Sequence, residues 1–164
     1  MNDSFNREWL TTKFEEIRKR MLKAIDQLDD DQLNWQPDSS SHSISMLINH
    51  IDGNIEERIV KGILHVDNKR SRDNEFKAEY VKKAALQTII QDRLQLVIDT
   101  IQTISDEALG QTQTVRNRER TNLDMLHQCA AHYSEHMGQL FYIAKLCLKE
   151  EYTSTSVVRP KSYE

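Results

Sequence analysis

The chain has 164 residues, enough to bury a core of its own, and this length favours a single domain. Its formal net charge at pH 7 is −4 with both signs spread along the sequence, which argues against nucleic-acid and anionic-membrane partners. No apolar run approaches the ~18 residues of a membrane span and no signal peptide is evident, so we expect a cytoplasmic protein.

The first predicted helix runs from Asp3 or Ser4 to Leu28, with Ser4 as its N-cap. The acidic and serine-rich sequence that follows includes Pro37 and predicts a loop. The apolar residues of the helix keep helical spacing with Lys and Glu between them; they are Leu10, Phe14, Ile17, Met21, Ile25 and Leu28.

The second predicted helix begins near Ser43 and carries a stripe of Leu and Ile residues that we expect to be buried. A polar line borders this stripe, because His50, Asn54 and Arg58 follow one another at intervals of four residues. The line is either the solvated edge of the helix or part of a site in which His50 is a metal ligand and Asn54 and Arg58 line the same hollow. Periodicity alone leaves both interpretations open.

The third predicted helix covers Val81 to Ile104 and keeps an apolar stripe along its length. A polar connection precedes it, and a second one follows it. Weak alternation over residues 111–116 in the second connection indicates a short extended piece.

The fourth predicted helix begins with Thr121 and Asp124 as a capping pair and runs to about Lys149. Four amphipathic helices without a convincing sheet predict an all-α fold, a four-helix bundle. We expect this bundle to be a single domain over residues 1–151, followed by a flexible tail over residues 152–164.

Two histidines one turn apart mark the fourth helix. At about 100° of rotation per residue, His132 and His136 lie about 40° apart, on the face that carries the apolar residues. Imidazoles at this spacing can chelate a metal ion, and facing helices build such sites in bundle cores. The alternative is two hydrogen-bonded core histidines.

Other residues near this pair are weaker candidates. The string from His132 to His136 matches the HxxEH pattern of one class of metalloproteases, but Glu135 projects about 100° from His136 toward the polar side, and we reject that interpretation. Cys129 is predicted to be a small core residue, with a soft metal ligand as the alternative. His127 lies about 140° from His132 and is expected at the surface.

Three stretches carry a resemblance to a known family: NHIDGNIEER in the second helix, RSRDNEF in the connection, and VRNRERTNLDMLHQCAAHYSEHMGQLFYIAKL. They resemble the DinB-like (YfiT-like) superfamily of metal-binding four-helix bundles, and within it an uncharacterised bacterial branch. In that superfamily one histidine of helix two and an HxxxH pair of helix four bind a divalent metal. The resemblance therefore implies that His50, His132 and His136 are metal ligands.

The resemblance also suggests a function. Three imidazoles leave a divalent ion, nickel or zinc, with open positions for water or substrate. Relatives include thiol-dependent S-transferases and a thiol-dependent isomerase, so the leading hypothesis is an enzyme that transfers a low-molecular-weight thiol to a small electrophile, with Asn54, Arg58 and Gln139 lining the approach. The alternatives are a metal-dependent hydrolase and a non-enzymatic dimeric metal-binding module for interaction or stress response. Because bundles of this superfamily often pair, we expect a homodimer.

Overall fold

Four long helices form a bundle in the computed structural model, which describes residues 3–67 and 79–156. This confirms the predicted all-α four-helix bundle. The second long helix continues directly into a π-helical segment, and the last one ends in a single 3-10 turn. In chain order the elements are α1 (Ser4–Asp26), α2 (Asp30–Asn34), α3 (Ile44–Ile55), the π-helical segment (Glu56–Lys61), α4 (Lys83–Thr103), α5 (Asp106–Gly110), β1 (Thr112–Val115), β2 (Arg118–Thr121), α6 (Asn122–Leu148) and the 3-10 turn (Lys149–Glu151).

The core lies between the long helices. Each of α1 and α3 packs against both α4 and α6, which places α3 beside α6. The predicted apolar stripes are the buried faces: Phe14, Ile48, Ile98 and Leu140 are at most 2% exposed. Burial of each such side chain stabilises the fold by about 1.5–3 kcal/mol relative to exposure. The stripes therefore determine which helix faces meet, and with them which polar residues of α3 and α6 meet at the core's edge.

Side-chain caps fix where two of the long helices begin. The Ser43 hydroxyl accepts a hydrogen bond from the Met46 amide at 3.2 Å, and the Thr121 hydroxyl accepts one from the Asp124 amide at 3.1 Å. The predicted N-cap of α1 is wrong by one residue. Asp3 is the cap, because its carbonyl accepts the first helical hydrogen bond, from Arg7 at 2.9 Å.

The connections contain structure that the sequence pattern did not predict. The extended piece expected over residues 111–116 is β1, but it pairs with a second strand, so the expectation of no sheet is wrong. Strand β2 reads RERT and has no apolar alternation to reveal it. The short helices α2 and α5 were also missed, although Asp29 and Gln32 form a complete capping box at the start of α2.

The chain after α6 returns to α1. The amide of Thr153 donates to Oε1 of Gln27 at 2.8 Å, and the Thr153 carbonyl accepts from Nε2 of Gln27 at 3.0 Å. Residues 157–164 lie outside the described part of the chain, as does the RSRDNEF stretch, so the flexible tail stays a prediction. Within the described ranges, no helix has both the length and the apolar character needed to cross a membrane.

Candidate metal centre

Three imidazoles converge where α3 faces α6. The Nε2 atom of His132 lies 3.3 Å from Nε2 of His50 and 2.8 Å from Nε2 of His136. One nitrogen from each of the three rings falls within 4.8 Å of the others. All three side chains are half-buried. The packing of α3 against α6 thus brings together two segments of chain that are 82 residues apart.

These nitrogens fit a divalent metal ion. An ion about 2.0–2.1 Å from each imidazole nitrogen holds two of them about 3.0–3.4 Å apart. The 3.3 Å between His50 and His132 falls in this range, and the 2.8 Å between His132 and His136 is slightly shorter. A neutral imidazole has one N–H, and His136 directs Nδ1 at Oε1 of Gln139 at 2.7 Å. Because an amide oxygen only accepts, Nδ1 of His136 donates, and its Nε2 carries a lone pair directed at the cluster. This is the ligand form of histidine.

The surroundings of His132 favour its neutral form. The pKa of His132 is lowered below 6.5, and burial is the largest cause. The positive charges of His136, Arg116 and Arg58 lower this pKa further, whereas the carboxylate of Glu135 raises it. A neutral imidazole binds metal and an imidazolium does not. His132 is therefore suited to be a ligand, and the three-histidine cluster could bind a divalent metal.

Contacts with α6 and α4 hold Asn54 and the segment that carries Arg58 in place. The hydroxyl of Tyr133, which is fully buried, donates to Oδ1 of Asn54 at 2.9 Å. Arg58 lies in the π-helical segment, a rare geometry that is frequent at functional sites. That segment is anchored to α4, because Arg93 pairs with Asp52 at 2.5 Å and with Glu56 at 2.7 Å.

A cavity of about 620 Å³ adjoins the cluster at His132. Asn54 and Arg58, two of the three residues expected at the approach to the site, line it, and their role there stays a prediction. Gln139 does not line it, because the helical rise carries it about 10 Å beyond His132, where it contacts His136 instead. The described residues that line it are Asn54, Arg58, Val115, Arg116, Arg118, Arg120, Met125, Gln128, Cys129, Ala131, His132 and Glu135.

Sequence reasoning missed several residues that line this cavity. Arg116, Arg118 and Arg120 reach it from the hairpin, and the run VRNRER was the signal that could have identified them. Glu135 lines it too, although it was assigned to the polar side of α6. Cys129 contributes a buried thiol. Burial raises the pKa of this thiol to about 11.

His127 does not belong to this site. It is half-buried, not at the surface as predicted, because it packs against α1. Its Nε2 atom lies 3.1 Å from Oδ1 of Asn6, and its ring stacks on Trp9 at 5.2 Å between centroids. His127 is therefore a structural histidine on the same helix as the two candidate ligands.

Comparison with known proteins identifies the family and the fold. Residues 4–161 match the profile of a family described as "Protein of unknown function (DUF1572)". No curated protein matches. Among solved structures, a conserved Enterococcus faecalis protein is 16% identical over 85% of this chain and 95% of that one, with a TM-score of 0.71.

Two further solved structures are of proteins described as DinB-like. A DinB-like protein from Bacillus cereus is 14% identical over 85% of this chain and 91% of that one, with a TM-score of 0.69. The DinB-like protein YjoA from Bacillus subtilis is 15% identical over 90% of this chain and 97% of that one, with a TM-score of 0.62. At these identities the likeness concerns the fold alone, and that fold is DinB-like.

Proposed function

We propose that this chain, a member of the DUF1572 family with a DinB-like fold, is a cytoplasmic divalent-metal-dependent enzyme that transfers a low-molecular-weight thiol to a small electrophile. The observation that carries the proposal is the convergence of three imidazole nitrogens at the edge of a cavity of small-molecule size. A structural metal site would instead surround its ion with four protein ligands. Three ligands beside a cavity favour chemistry.

His50, His132 and His136 would hold the ion, which we propose is nickel or zinc, since both suit imidazole. When bound, the ion supplies open coordination positions and lowers the pKa of a thiol or water that occupies one of them. Gln139 would fix the orientation of His136 through the hydrogen bond to Nδ1. Asn54 and Arg58 line the adjoining cavity and would contact the substrate.

The nucleophilic thiol would come from outside the chain. Cys129 is the cysteine that lines the cavity, but it is 2% exposed and its pKa is raised to about 11 by burial. At neutral pH it is therefore a thiol and not a thiolate, and the thiolate is the nucleophilic form. A small thiol that enters the cavity is not subject to this burial.

The proposed reaction is a substitution at carbon. The external thiol gives up its proton, and its sulfur forms a carbon–sulfur bond with the electrophilic carbon. The bond from that carbon to the leaving group breaks, and the leaving group departs with the bonding electrons. Glu135, a carboxylate that lines the same cavity as His132, would carry the released proton toward solvent.

The test begins with metal content. Elemental analysis of protein purified without a histidine tag should give about one divalent ion per chain after incubation with nickel or zinc. The loaded protein should then accelerate the reaction of cysteine with 1-chloro-2,4-dinitrobenzene above the uncatalysed rate, and a chelator should abolish the acceleration. Absence of bound metal would refute the site, and bound metal without thiol-dependent turnover of this or other electrophiles would refute the reaction.

The second candidate is hydrolysis by metal-bound water. The position of Glu135 favours it, because a carboxylate beside His132 could act as a general base. Turnover of p-nitrophenyl acetate that needs metal but no thiol, and that Glu135→Gln lowers, would favour hydrolysis over thiol transfer.

We also propose that the chain is a homodimer that pairs through the second half of α6. Tyr142 and Leu146 are 66% and 41% exposed there, and with Leu47 and Ile143 they line an apolar groove. Large apolar side chains grouped on a surface are typical of association sites. Light scattering should give twice the chain mass of 19.2 kDa, and Tyr142→Glu should halve it. A wild-type mass of one chain across micromolar concentrations would exclude the dimer.

A further inference from the structure

The cavity beside His132 is strongly cationic. Four guanidinium groups line it, those of Arg58, Arg116, Arg118 and Arg120, against one carboxylate, that of Glu135. The whole chain has the opposite sign, with a net charge of −4. Positive charge concentrated in a concave site of a negatively charged protein attracts anions to that site.

Among the residues that the structure describes, acidic side chains neutralise only part of this charge. Arg120 pairs with Asp124 at 2.6 Å. Within residues 3–67 and 79–156, the side chains of Arg58, Arg116 and Arg118 form no ion pair. Guanidinium groups grouped in this way repel one another, and a bound anion would relieve that repulsion. Their planar donors also match the geometry of carboxylate and phosphoryl oxygens.

The backbone of the hairpin favours the same interpretation. Val115 pairs with Arg118, so that Arg116 and Asn117 form a two-residue turn with φ values of 48° and 62°. A turn with positive φ at both positions favours Gly, Asn or Asp, and an arginine is strained there. Arg116 nevertheless occupies the first position and extends to the cavity. Strained residues that persist in a fold are concentrated at functional sites.

The hairpin is held against the π-helical segment by Gln113. Its Nε2 atom donates to the carbonyl of Arg58 at 3.3 Å and to Oδ1 of the buried Asn122 at 3.0 Å. Gly62 leaves the space for this contact, because a Cβ added there would overlap both the Gln113 side chain and the Arg58 carbonyl. The arginines of the hairpin and Arg58 are thereby kept on the same cavity.

We propose that this cavity binds a small molecule that carries a carboxylate or phosphoryl group, and that Arg58, Arg116 and Arg118 hold this group beside the histidine cluster. As an assignment of the substrate's class, the inference rests on the proposed function. The volume of about 620 Å³ is that of a small-molecule site, and the net charge of −4 disfavours a nucleic-acid polymer.

The test measures anion binding apart from catalysis. Isothermal titration of the full chain, freed of metal by a chelator and dialysed, would use three probes: phenylphosphonate, benzoate and the uncharged benzamide. At least one anion should bind, and ten-fold or more tightly than benzamide. The stronger of the two anions identifies the phosphoryl or the carboxylate group. No preference for either anion over benzamide would overturn the proposal.

Two variants and a control locate the bound anion. Arg116→Gly should raise the Kd of the preferred anion at least ten-fold and leave the melting temperature unchanged or higher, because glycine relieves the positive φ. Arg118→Gln should also raise this Kd. Lys61→Gln removes a positive charge that pairs with Glu57 and does not line the cavity, and it should leave the Kd unchanged. Equal Kd values in all the proteins would overturn the assignment.

Two further measurements separate this inference from the proposed function. His136→Ala should lose metal but keep anion binding. A wild-type chain that binds the anion but takes up no nickel or zinc refutes the metal-dependent reaction alone. Metal binding and thiol-dependent turnover of an uncharged electrophile, with no anion bound, refute the anion site alone. A single-stranded oligonucleotide that binds more tightly than either anion would refute the small-molecule assignment.

Discussion

The histidine cluster, which adjoins the cavity at His132, and the β-hairpin, which lines the same cavity, are built differently. The cluster stands on α3 and α6, whose packing against each other and against the rest of the bundle fixes the positions of its rings. The hairpin has two four-residue strands, is mostly exposed and turns through two residues with positive φ. Loops on a rigid scaffold can change without loss of the fold. Under the proposed function, the bundle would hold the metal and the hairpin would select the substrate.

The largest expected effect concerns the cluster. His136→Ala removes one of three proposed ligands and should weaken the binding of zinc or nickel by more than about 100-fold, because loss of a residue that merely orients a ligand already costs about 10–100-fold. Titration of each metal into chelator-treated protein measures this loss. Far-ultraviolet circular dichroism should show an unchanged helix content.

His127→Ala is the matched control on the same helix. His127 contacts Asn6 and Trp9 and lies outside the cluster, so this variant should keep the metal affinity of the wild type. If both histidine variants lost metal equally, the assignment of the two faces of α6 would be wrong.

The next effect concerns Arg58, which belongs to the π-helical segment and contacts the hairpin's Gln113 through its backbone. Arg58→Ala should keep metal content and melting temperature but lower kcat/KM by 10-fold or more, if about 1.4 kcal/mol of transition-state binding is lost. Lys61→Ala, in the same segment but outside the cavity lining, should leave kcat/KM unchanged. A large fall in melting temperature with normal activity per folded molecule would instead make Arg58 a structural residue.

The sequence pattern predicted the histidine pair of α6, and the family resemblance added His50, but nothing predicted that the hairpin lines the cavity. The difference has a physical reason. The long amphipathic stripes determine which faces of α3 and α6 meet, so they also bring His50 close to His132 and His136. The position of the hairpin depends on single hydrogen bonds, such as those of Gln113, and on a turn whose residues are not the usual Asn-Gly. Neither leaves a periodic pattern, which is why the three hairpin arginines were not predicted to line the cavity.

A smaller effect tests whether the buried Tyr133 holds the side chain of Asn54 in place. Tyr133→Phe removes the hydrogen bond to Asn54 and should lower the free energy of unfolding by about 1 kcal/mol. For a chain of this size the melting temperature should then fall by about 2–4 °C. A Tyr133→Phe protein as stable as the wild type would show that this contact does not hold Asn54.

The smallest effect is expected at Cys129, which lines the cavity from α6 without taking part in the proposed chemistry. Burial raises its pKa to about 11, so thiolate is scarce at pH 8 and increases about tenfold for each further pH unit below that value. In a Cys147→Ser background, iodoacetamide should therefore leave Cys129 of the folded protein almost unmodified at pH 8, and faster labelling should appear only as the pH rises. Urea-unfolded protein is the control and should label readily, because the unfolded thiol has its ordinary pKa. Rapid labelling of the folded protein at pH 7, or stoichiometric arylation of Cys129 by 1-chloro-2,4-dinitrobenzene with release of chloride and without added thiol, would instead identify Cys129 as the nucleophile.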